Sequence, residues 1–316
     1  MIQTELNQLQ NNVVVIGTLK TKELELKTSK ANKNFISGKL VVQSMIDGNI
    51  HEILIEVFVM SSSKLFKGIE TVKDEFKTID QDGIENANRI KVTGTLKLNE
   101  FINNQGNLIQ YNEIRGNIFN RLDLNDDTPD KAVASIETVV DSFVGELDKE
   151  QLPTGHYNVN GFTIGWRGEV IELKNTFICA EIAQAFMNLY QPGSTGLLSF
   201  QIHRFAEEDL TDVKIQPTGF GTKVEVEGTN GPNKKYVRKI EIIGGDLPYL
   251  GTKELSPEQI AFAKQSRALK IQELLKKESA PTIPTVQAFG KGIQSHGEDK
   301  SAMPTTPTSP MDMPIF

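Results

Sequence analysis

The sequence predicts a mainly β protein built from two small five-stranded barrels in tandem, followed by a helix and a disordered tail. Three observations lead to this class. Apolar and polar residues alternate over many short segments, one helix-like segment interrupts the alternation in each half, and the same order of elements occurs twice. With 316 residues, the chain is long enough for each half to bury a core of its own.

The first barrel is predicted over residues 1–122. Its strands are expected at Asn12–Leu26, Phe35–Gln43, Glu52–Met60, Ile90–Leu98 and Gln110–Phe119. Gly17 predicts a bulge or bend that lets one strand serve both halves of the barrel, and Asp47-Gly48 predicts a tight turn. Before the fourth strand, helical spacing relates Leu65, Ile69, Val72 and Phe76. This order of elements is that of the oligonucleotide-binding (OB) fold, a Greek-key barrel with a helix between strands three and four.

A second OB-like barrel is predicted over residues 133–250, after an acidic linker at 123–132. Its strands are expected at Val133–Leu147, Tyr157–Trp166, Glu169–Lys174, Leu197–Phe205 and Lys235–Ile243, with a helix at Phe177–Tyr190. Ser256 as N-cap before Pro257 predicts a helix within 251–278. The Pro-, Ser- and Thr-rich residues 279–316 are expected to form a disordered tail with an apolar end.

The distribution of charge matters more than its sum. A net charge of −7 argues against a nucleic-acid partner, because phosphates are bound by clustered Lys and Arg. Residues 1–122, however, carry a net charge of +1, and residues 1–40 hold six Lys against three Glu, whereas residues 133–247 carry −6. A groove that follows phosphates is therefore expected in the first barrel.

The compartment is predicted to be a reducing cytoplasm. Cys179 is the single cysteine and cannot form an internal disulfide. The sequence contains no run of about 18 apolar residues, so no membrane helix is predicted. Residues 1–12 lack the basic start and apolar core of an export signal.

Segments of residues 1–122 and the last few residues resemble the bacterial and phage single-stranded DNA-binding proteins. The resembling segments are Asn12–Leu19, Asn34–Ser37, Arg89–Lys97, Phe101 with the Asn104–Gly106 turn, Tyr111–Ile114, and the C-terminal Pro314-Ile315-Phe316. The resemblance implies binding and protection of single-stranded DNA during replication, recombination and repair, with neither catalysis nor a cofactor. It also implies that the tail recruits partner proteins through Asp312, Met313, Pro314, Ile315 and Phe316.

Two departures from that family concern architecture and tail charge. The family usually has one barrel per chain and assembles as an oligomer, so a tandem chain is more similar to a phage or mobile-element relative. The family's terminal peptide is strongly acidic, whereas Asp312 is the one acid in the last six residues here.

Binding a single strand requires aromatic side chains on which bases stack and cations that follow the phosphates. Phe101, Tyr111, Phe35 and Trp166 are the stacking candidates, although a core position is the stronger alternative for Phe35 and for a lone Trp. Arg167 beside Trp166 would add a cation–π contact. The cationic candidates, each equally well explained as a solvated side chain, are Lys20, Lys22, Lys33, Lys39, Lys91, Lys97 and Arg115.

Catalytic interpretations find little support in the sequence. The four histidines lie far apart without metal-ligand spacing, namely His51, His156, His203 and His296. Cys179 is expected alone in mid-helix, and Gly219–Lys223 lacks the spacing of a phosphate loop. The acidic run from Glu207 to Asp212 is interpreted as a solvated loop.

The competing interpretation is a structural or regulatory protein-interaction module, because OB barrels also dock proteins. The acidic second barrel favours this alternative. That barrel has one basic cluster, formed by Lys234, Lys235, Arg238 and Lys239.

Overall fold

The computed structural model describes residues 6–123, 126–208, 215–217, 222–224 and 234–279. The predicted disordered tail and its terminal peptide, Asp312–Phe316, lie outside the described residues, apart from Ser279. Within the described ranges, no helix is both long and apolar enough to cross a membrane.

The first half forms a closed five-stranded barrel. Its strands are β1 (Asn11–Thr28), β2 (Asn34–Ile46), β3 (Asn49–Met60), β4 (Arg89–Ile102) and β5 (Leu108–Arg121). The antiparallel pairs are β1–β2, β2–β3, β1–β4 and β4–β5, and a parallel β3–β5 pair closes the barrel. Two helices, α1 (Phe66–Glu75) and α2 (Ile79–Asp82), connect β3 to β4. This topology confirms the OB fold predicted for the first half.

Within the first barrel, β1 pairs with two other strands, as the sequence predicts. Residues Val13–Thr18 pair with β4 and residues Thr18–Thr28 pair with β2. Gly17 lies at the changeover, where a Cβ atom would stand 2.3 Å from the carbonyl oxygen of Gln43. The register irregularity comes later than Gly17, between Leu19 and Thr21. Gly17 thus permits the close approach of β2, and the bulge lies beyond it.

The β2–β3 turn and helix α1 follow from local sequence. Asp47 and Gly48 adopt φ angles of 49° and 77°, the left-handed conformation that a tight hairpin turn requires. Of the predicted helical face, Ile69, Val72 and Phe76 are buried. Leu65 is exposed, which corrects its assignment to that face, because it precedes the first turn of α1.

The second half repeats the closed barrel with a broken third strand. Its elements are β6 (Lys131–Leu147), β7 (Pro153–Ile164), β8 (Val170–Leu173), β9 (Thr176–Ile178), α3 (Ala180–Leu189), β10 (Thr195–Glu208), β11 (Ile215–Pro217), β12 (Thr222–Val224) and β13 (Lys234–Gly245). β8 and β9 both pair antiparallel with β7, and β9 pairs parallel with β13, so together they replace a third strand. β10 joins β13 to β6 and closes the barrel. β11 and β12 form a separate small sheet.

Three predictions for the second half were wrong at element boundaries. The helix expected from Phe177 begins only at Ala180, because Phe177 and the fully buried Ile178 belong to β9. Cys179 is therefore the N-cap residue of α3 and does not lie in mid-helix. β7 ends at Ile164, so Trp166 lies in the turn that follows it.

The two barrels share one continuous sheet. Residues Asn11–Ile16 of β1 pair antiparallel with residues Lys131–Ile136 of β6. The chain before β1 also reaches the second barrel, where the Leu9 N–H donates to the Ile164 carbonyl at 2.9 Å. Leu6 is buried in an apolar cluster on that barrel.

Helix α4 (Pro257–Ser279) contacts both barrels. Its start confirms the predicted cap, because the Gln259 N–H donates to Ser256 Oγ at 3.3 Å. Arg267 of α4 donates to Glu100 of β4 through two hydrogen bonds of 2.9 and 2.5 Å, and its Nε lies 3.1 Å from Glu172 of β8. The side chains of Arg267 and Glu100 are only 5% and 6% exposed.

Candidate nucleic-acid interface

The outer face of the first barrel carries two aromatic rings beside a cation. The ring centroids of Phe35 on β2 and Phe58 on β3 lie 5.3 Å apart. The guanidinium carbon of Arg115 on β5 lies 5.5 Å from the Phe58 ring centroid, and Arg115 donates to the Phe58 carbonyl at 3.2 Å. Phe58 remains 41% exposed. These three residues are called the Phe58 cluster below.

The Phe58 cluster corrects the position predicted for Phe35 and adds Phe58 to the candidate stacking residues. Phe35 is half-buried on the outer face, so the core position favoured for it was wrong. Phe58 was missed, although β3 contains a signal for it. The buried positions of β3 run from His51 to Val59 in steps of two, and Phe58 falls out of phase with them, on the outward side with Glu56.

Cations and carboxylates alternate across the same face. In the strand register, exposed Lys39 lies opposite Glu56, which in turn lies opposite Arg115. Lys97 on β4 forms ion pairs with Glu56 and, at 3.4 Å, with Glu113. The positive charge of Lys97 is therefore balanced within the face, whereas Lys39 projects into solvent.

The β4–β5 hairpin presents Phe101 beside Tyr111. Phe101 is 45% exposed, and its ring meets the Tyr111 ring edge-on with centroids 6.4 Å apart. The Asn99 side-chain amide donates to Tyr111 Oη at 2.8 Å, which orients the phenol. Phe101 thus packs on its own hairpin and still leaves nearly half of its surface open.

The remaining lysine candidates have different surroundings. Lys20 pairs with Glu52, and Lys22 donates to the Lys73 carbonyl at 2.7 Å in the last turn of α1. Burial is the main cause that lowers the pKa of Lys22. Lys33 is exposed in the β1–β2 turn, and Lys91 is half-exposed on β4. Lys20 and Lys22 are therefore committed to contacts within the barrel.

Trp166 is exposed, which corrects the core position favoured for it. Its side chain is 64% exposed, and the guanidinium carbon of Arg167 lies 4.6 Å from the indole ring. The pair follows β7, whose last residues, Phe162 and Ile164, are buried in the same apolar cluster as Leu6. The structure brings Trp166 and Arg167 together, but no described contact connects them with the Phe58 cluster.

The second barrel repeats the aromatic–cation arrangement. Lys239 Nζ on β13 lies 5.3 Å from the ring centroid of Phe177 on β9. In the first barrel Arg115 lies opposite Glu56, two residues before Phe58. In the second barrel Ile240 lies opposite Thr176, so one step further along the same register Lys239 lies opposite Asn175, two residues before Phe177. Phe177 and Lys239, called the Phe177 pair below, therefore occupy the positions of Phe58 and Arg115.

Three of the four histidines gather where the barrels meet, although they are scattered in the sequence. The His203 ring lies 5.7 Å from the His51 ring and 6.2 Å from the Phe177 ring, and His156 stacks on Phe177. His51 is buried, and its Nδ1 accepts from the Arg204 N–H at 3.3 Å. Burial, with a smaller effect of His203, lowers the pKa of His51, so this ring is neutral at pH 7. His296 lies outside the described residues.

The structure bears on two of the catalytic interpretations, the Cys179 thiol and a metal site. Burial is the first cause that raises the pKa of the Cys179 thiol, followed by contacts with Glu181 and Glu241, so the thiol stays protonated and weakly nucleophilic. No group of three or more His, Cys, Asp and Glu among these residues could hold a metal ion. Asp209, Asp212 and residues 219–221 lie outside the described ranges.

Fold and face together define a protein with two OB barrels in one chain. The chain belongs to the YorF family, whose sequence profile matches residues 10–278. No curated protein matches the chain in sequence.

Solved structures similar to this chain include single-stranded DNA-binding proteins. The wild-type protein from Thermus aquaticus is 11% identical, over 80% of this chain and 99% of that chain, with a TM-score of 0.47. A deletion mutant of it is 12% identical over 80% and 100%, with a TM-score of 0.46. A Plasmodium falciparum protein in complex with single-stranded DNA is 15% identical over 37% and 99%, with a TM-score of 0.26.

Proposed function

We propose that the protein binds single-stranded DNA, without strong sequence choice, on the outer face of β2, β3 and β5. The observation that carries the proposal is the Phe58 cluster. An aromatic ring that is 41% exposed near the end of a strand, beside a second ring and a guanidinium, is costly to leave in water and offers a base a surface on which to stack. In OB barrels this face and the adjoining loops are the usual place for oligonucleotides.

Preference for a single strand follows from the stacking chemistry. A base can lie on Phe58 only when its own face is free, and in a duplex both faces are stacked on neighbouring pairs. Sequence tolerance follows from the same contact, because every base has a π face.

Phosphate contacts come from cations around the rings. Lys39 is exposed on the face itself, and Lys33 is exposed in the turn that leads into β2. Phe101 and Tyr111 extend the aromatic surface onto the β4–β5 hairpin. Because each neutralised phosphate releases counterions, affinity for the strand should fall steeply as salt rises.

The test is the binding of labelled oligothymidine and of a duplex of equal length, at two salt concentrations. Phe58→Ala should weaken single-strand binding by about 1–3 kcal/mol if a base stacks there. Phe262→Ala is the matched control, because Phe262 on α4 is exposed to a similar extent, 42% against 41% for Phe58. Equal affinity for the duplex, or no binding at low salt, would contradict the proposal and favour the protein-docking alternative.

We further propose that such binding protects single strands during replication, recombination or repair. Residues 311–316 would then recruit a partner protein, since apolar side chains beside the Asp312 carboxylate suit a basic-rimmed pocket. Removing residues 311–316 should abolish co-purification with a replication protein and leave DNA affinity and the melting temperature unchanged. A fall of several degrees in melting temperature would instead mean that the segment belongs to the fold.

A further inference from the structure

A cavity on the outer face of the second barrel is lined by the Phe177 ring. Its volume of about 600 Å³ lies within the roughly 300–1,000 Å³ that is usual for pockets that bind small ligands. His203 and Phe205, both on β10, add two further rings to the lining. This space, which is large enough to admit part of a ligand, is called the Phe177 pocket below.

Polar side chains flank the Phe177 ring on both neighbouring strands. In the strand register Asn158 of β7 lies opposite Phe177 on one side, and Glu241 of β13 lies opposite it on the other. All three residues line the pocket. In the first barrel, the β2 residue opposite Phe58 is Ser37, whose side chain carries neither an amide nor a carboxylate. The second barrel therefore places an amide and a carboxylate beside its stacking ring.

Two carboxylates of the pocket lie against histidines that also contact the ring. His203 Nε2 lies 2.7 Å from Glu241 Oε2. His156 Nδ1 lies 3.5 Å from Glu146 Oε2. Both imidazoles pack around Phe177, with ring centroids 6.2 and 6.4 Å from its own. Because a carboxylate has about four acceptor positions, each acid keeps positions for a ligand beside the ring.

The charges of the pocket favour a base over a phosphate in its interior. The Glu146 and Glu241 carboxylates repel a phosphate, whereas a neutral base meets no such repulsion. Arg238 and Lys239 are exposed cations on the same lining, and Lys239 Nζ lies 5.3 Å from the Phe177 ring centroid. A nucleotide that places its base on the ring can therefore place its phosphate beside these cations.

From this arrangement we infer that the Phe177 pocket binds one base of the strand and selects a base with an amino group next to an unprotonated ring nitrogen, as in cytosine and adenine. The amino group donates to the Glu241 carboxylate, and the ring nitrogen accepts from the Asn158 amide. Thymine and uracil present a carbonyl oxygen to the carboxylate instead, and two acceptors repel each other. The inference rests on the proposed function and deepens it, because it adds one selective position to a surface that otherwise accepts any base.

The test compares the affinities of the full-length protein for oligodeoxycytidine and oligodeoxyuridine of equal length above neutral pH. The two bases share one ring and differ in the amino or carbonyl group and the adjacent ring proton. The wild type should favour the cytidine oligomer, and in Glu241→Gln the ratio of the two affinities should fall by at least about fivefold, the lower limit for hydrogen-bond discrimination at one base. The glutamine amide can donate to the uracil carbonyl, and its oxygen can still accept from His203.

A matched control and a second variant accompany Glu241→Gln. Glu150→Gln removes the same charge from the exposed turn between β6 and β7 and should leave the ratio unchanged. Asn158→Ala removes the proposed donor at an exposed position, so the fold is not disturbed. It should weaken binding of the cytidine oligomer more than binding of the uridine oligomer.

The outcomes separate this inference from the proposed function. If the wild type binds neither oligomer, the proposed function itself fails. If it binds both and Glu241→Gln leaves the ratio unchanged, the Phe177 pocket does not select a base, and the proposed function stands. The inference is equally wrong if Asn158→Ala weakens both oligomers to the same extent, or if Glu150→Gln lowers the ratio as much as Glu241→Gln does.

Discussion

The two barrels have the same strand order but differ in how much of their outer surface is open. In the first barrel β3 is one continuous strand, and its outer face carries the Phe58 cluster in the open. In the second barrel the third strand is broken into β8 and β9, and Phe162 and Ile164 at the end of β7 are buried beside α4 residues. The aromatic–cation pair nevertheless recurs at the equivalent register in both. The comparison teaches that the net charge of a half, +1 against −6, is a poor guide to where a cation lies beside an aromatic ring.

The largest effect is expected from the helix that connects the barrels. Arg267→Ala should lower the free energy of unfolding by about 3–5 kcal/mol, because it leaves the buried Glu100 carboxylate without its main partner. Chemical denaturation measures this decrease. Lys264→Ala, which removes an exposed ion pair with Asp141, should cost less than about 1 kcal/mol. Similar small decreases in both variants would mean that α4 does not hold the barrels together.

Acid should release the first barrel's contact with α4. Burial alone would raise the pKa of Glu100, but hydrogen bonds from Arg267 and Lys270 outweigh it and lower the pKa to about 2. Because the folded-state pKa lies below the unfolded value near 4.5, the contribution of Glu100 is complete above about pH 4.5. It is lost as the pH falls toward 2.

The measurement is the free energy of unfolding against pH for the wild type and Glu100→Gln. The difference between the two proteins should be constant above about pH 5 and shrink below it. A difference that stays constant down to pH 2 would refute the assignment of this titration to Glu100.

The comparison of Phe58→Ala with Phe177→Ala tests whether both barrels contribute to single-strand binding. Both substitutions should weaken single-strand binding, with Phe58→Ala toward the upper end of about 1–3 kcal/mol and Phe177→Ala toward the lower end. The difference is expected because His156 and His203 already pack around Phe177. Fluorescence anisotropy with one oligomer measures both. No effect of Phe177→Ala would restrict binding to the first barrel, as the charge distribution of the sequence predicts.

The smallest effect is expected at Trp166. As the single tryptophan, its emission reports on one place, and a base that stacks on the exposed indole should quench it. Trp166→Ala should weaken binding by no more than about 1 kcal/mol, the lower end of the range for one stacked base, because no second ring of the described residues packs against the indole. Unchanged emission on titration with oligothymidine would remove Trp166 and Arg167 from the interface.

The strands and their order could be predicted because period-two alternation is a local property. Of the broken third strand of the second barrel, β8 was predicted but β9 was not, since Phe177 and Ile178 fit a helical stripe as well as they fit a strand. Phe58 was detectable from its phase, but a phenylalanine inside an apolar strand is most simply assigned to the core. Trp166 was misassigned for the same reason.

Contacts between side chains on different β-strands could not be predicted from the sequence. The meeting of His51 with His203 and the facing of Arg204 and Arg238 depend on which strands become neighbours. No spacing in the sequence encodes either contact. A single charge sum over residues 133–247 also does not show that Arg204 and Arg238 lie next to each other.

The β1–β6 pairing has a consequence for assembly. Equivalent halves of the first strand of each barrel pair antiparallel, from Asn11 opposite Ile136 to Ile16 opposite Lys131, which is the geometry of a local two-fold axis. A dimer of single barrels could use the same isologous contact, but it would dissociate on dilution. Here one chain carries both halves of that contact. The union of the two barrels is therefore independent of protein concentration, and it persists at concentrations where a dimer of the same strength would already be monomeric.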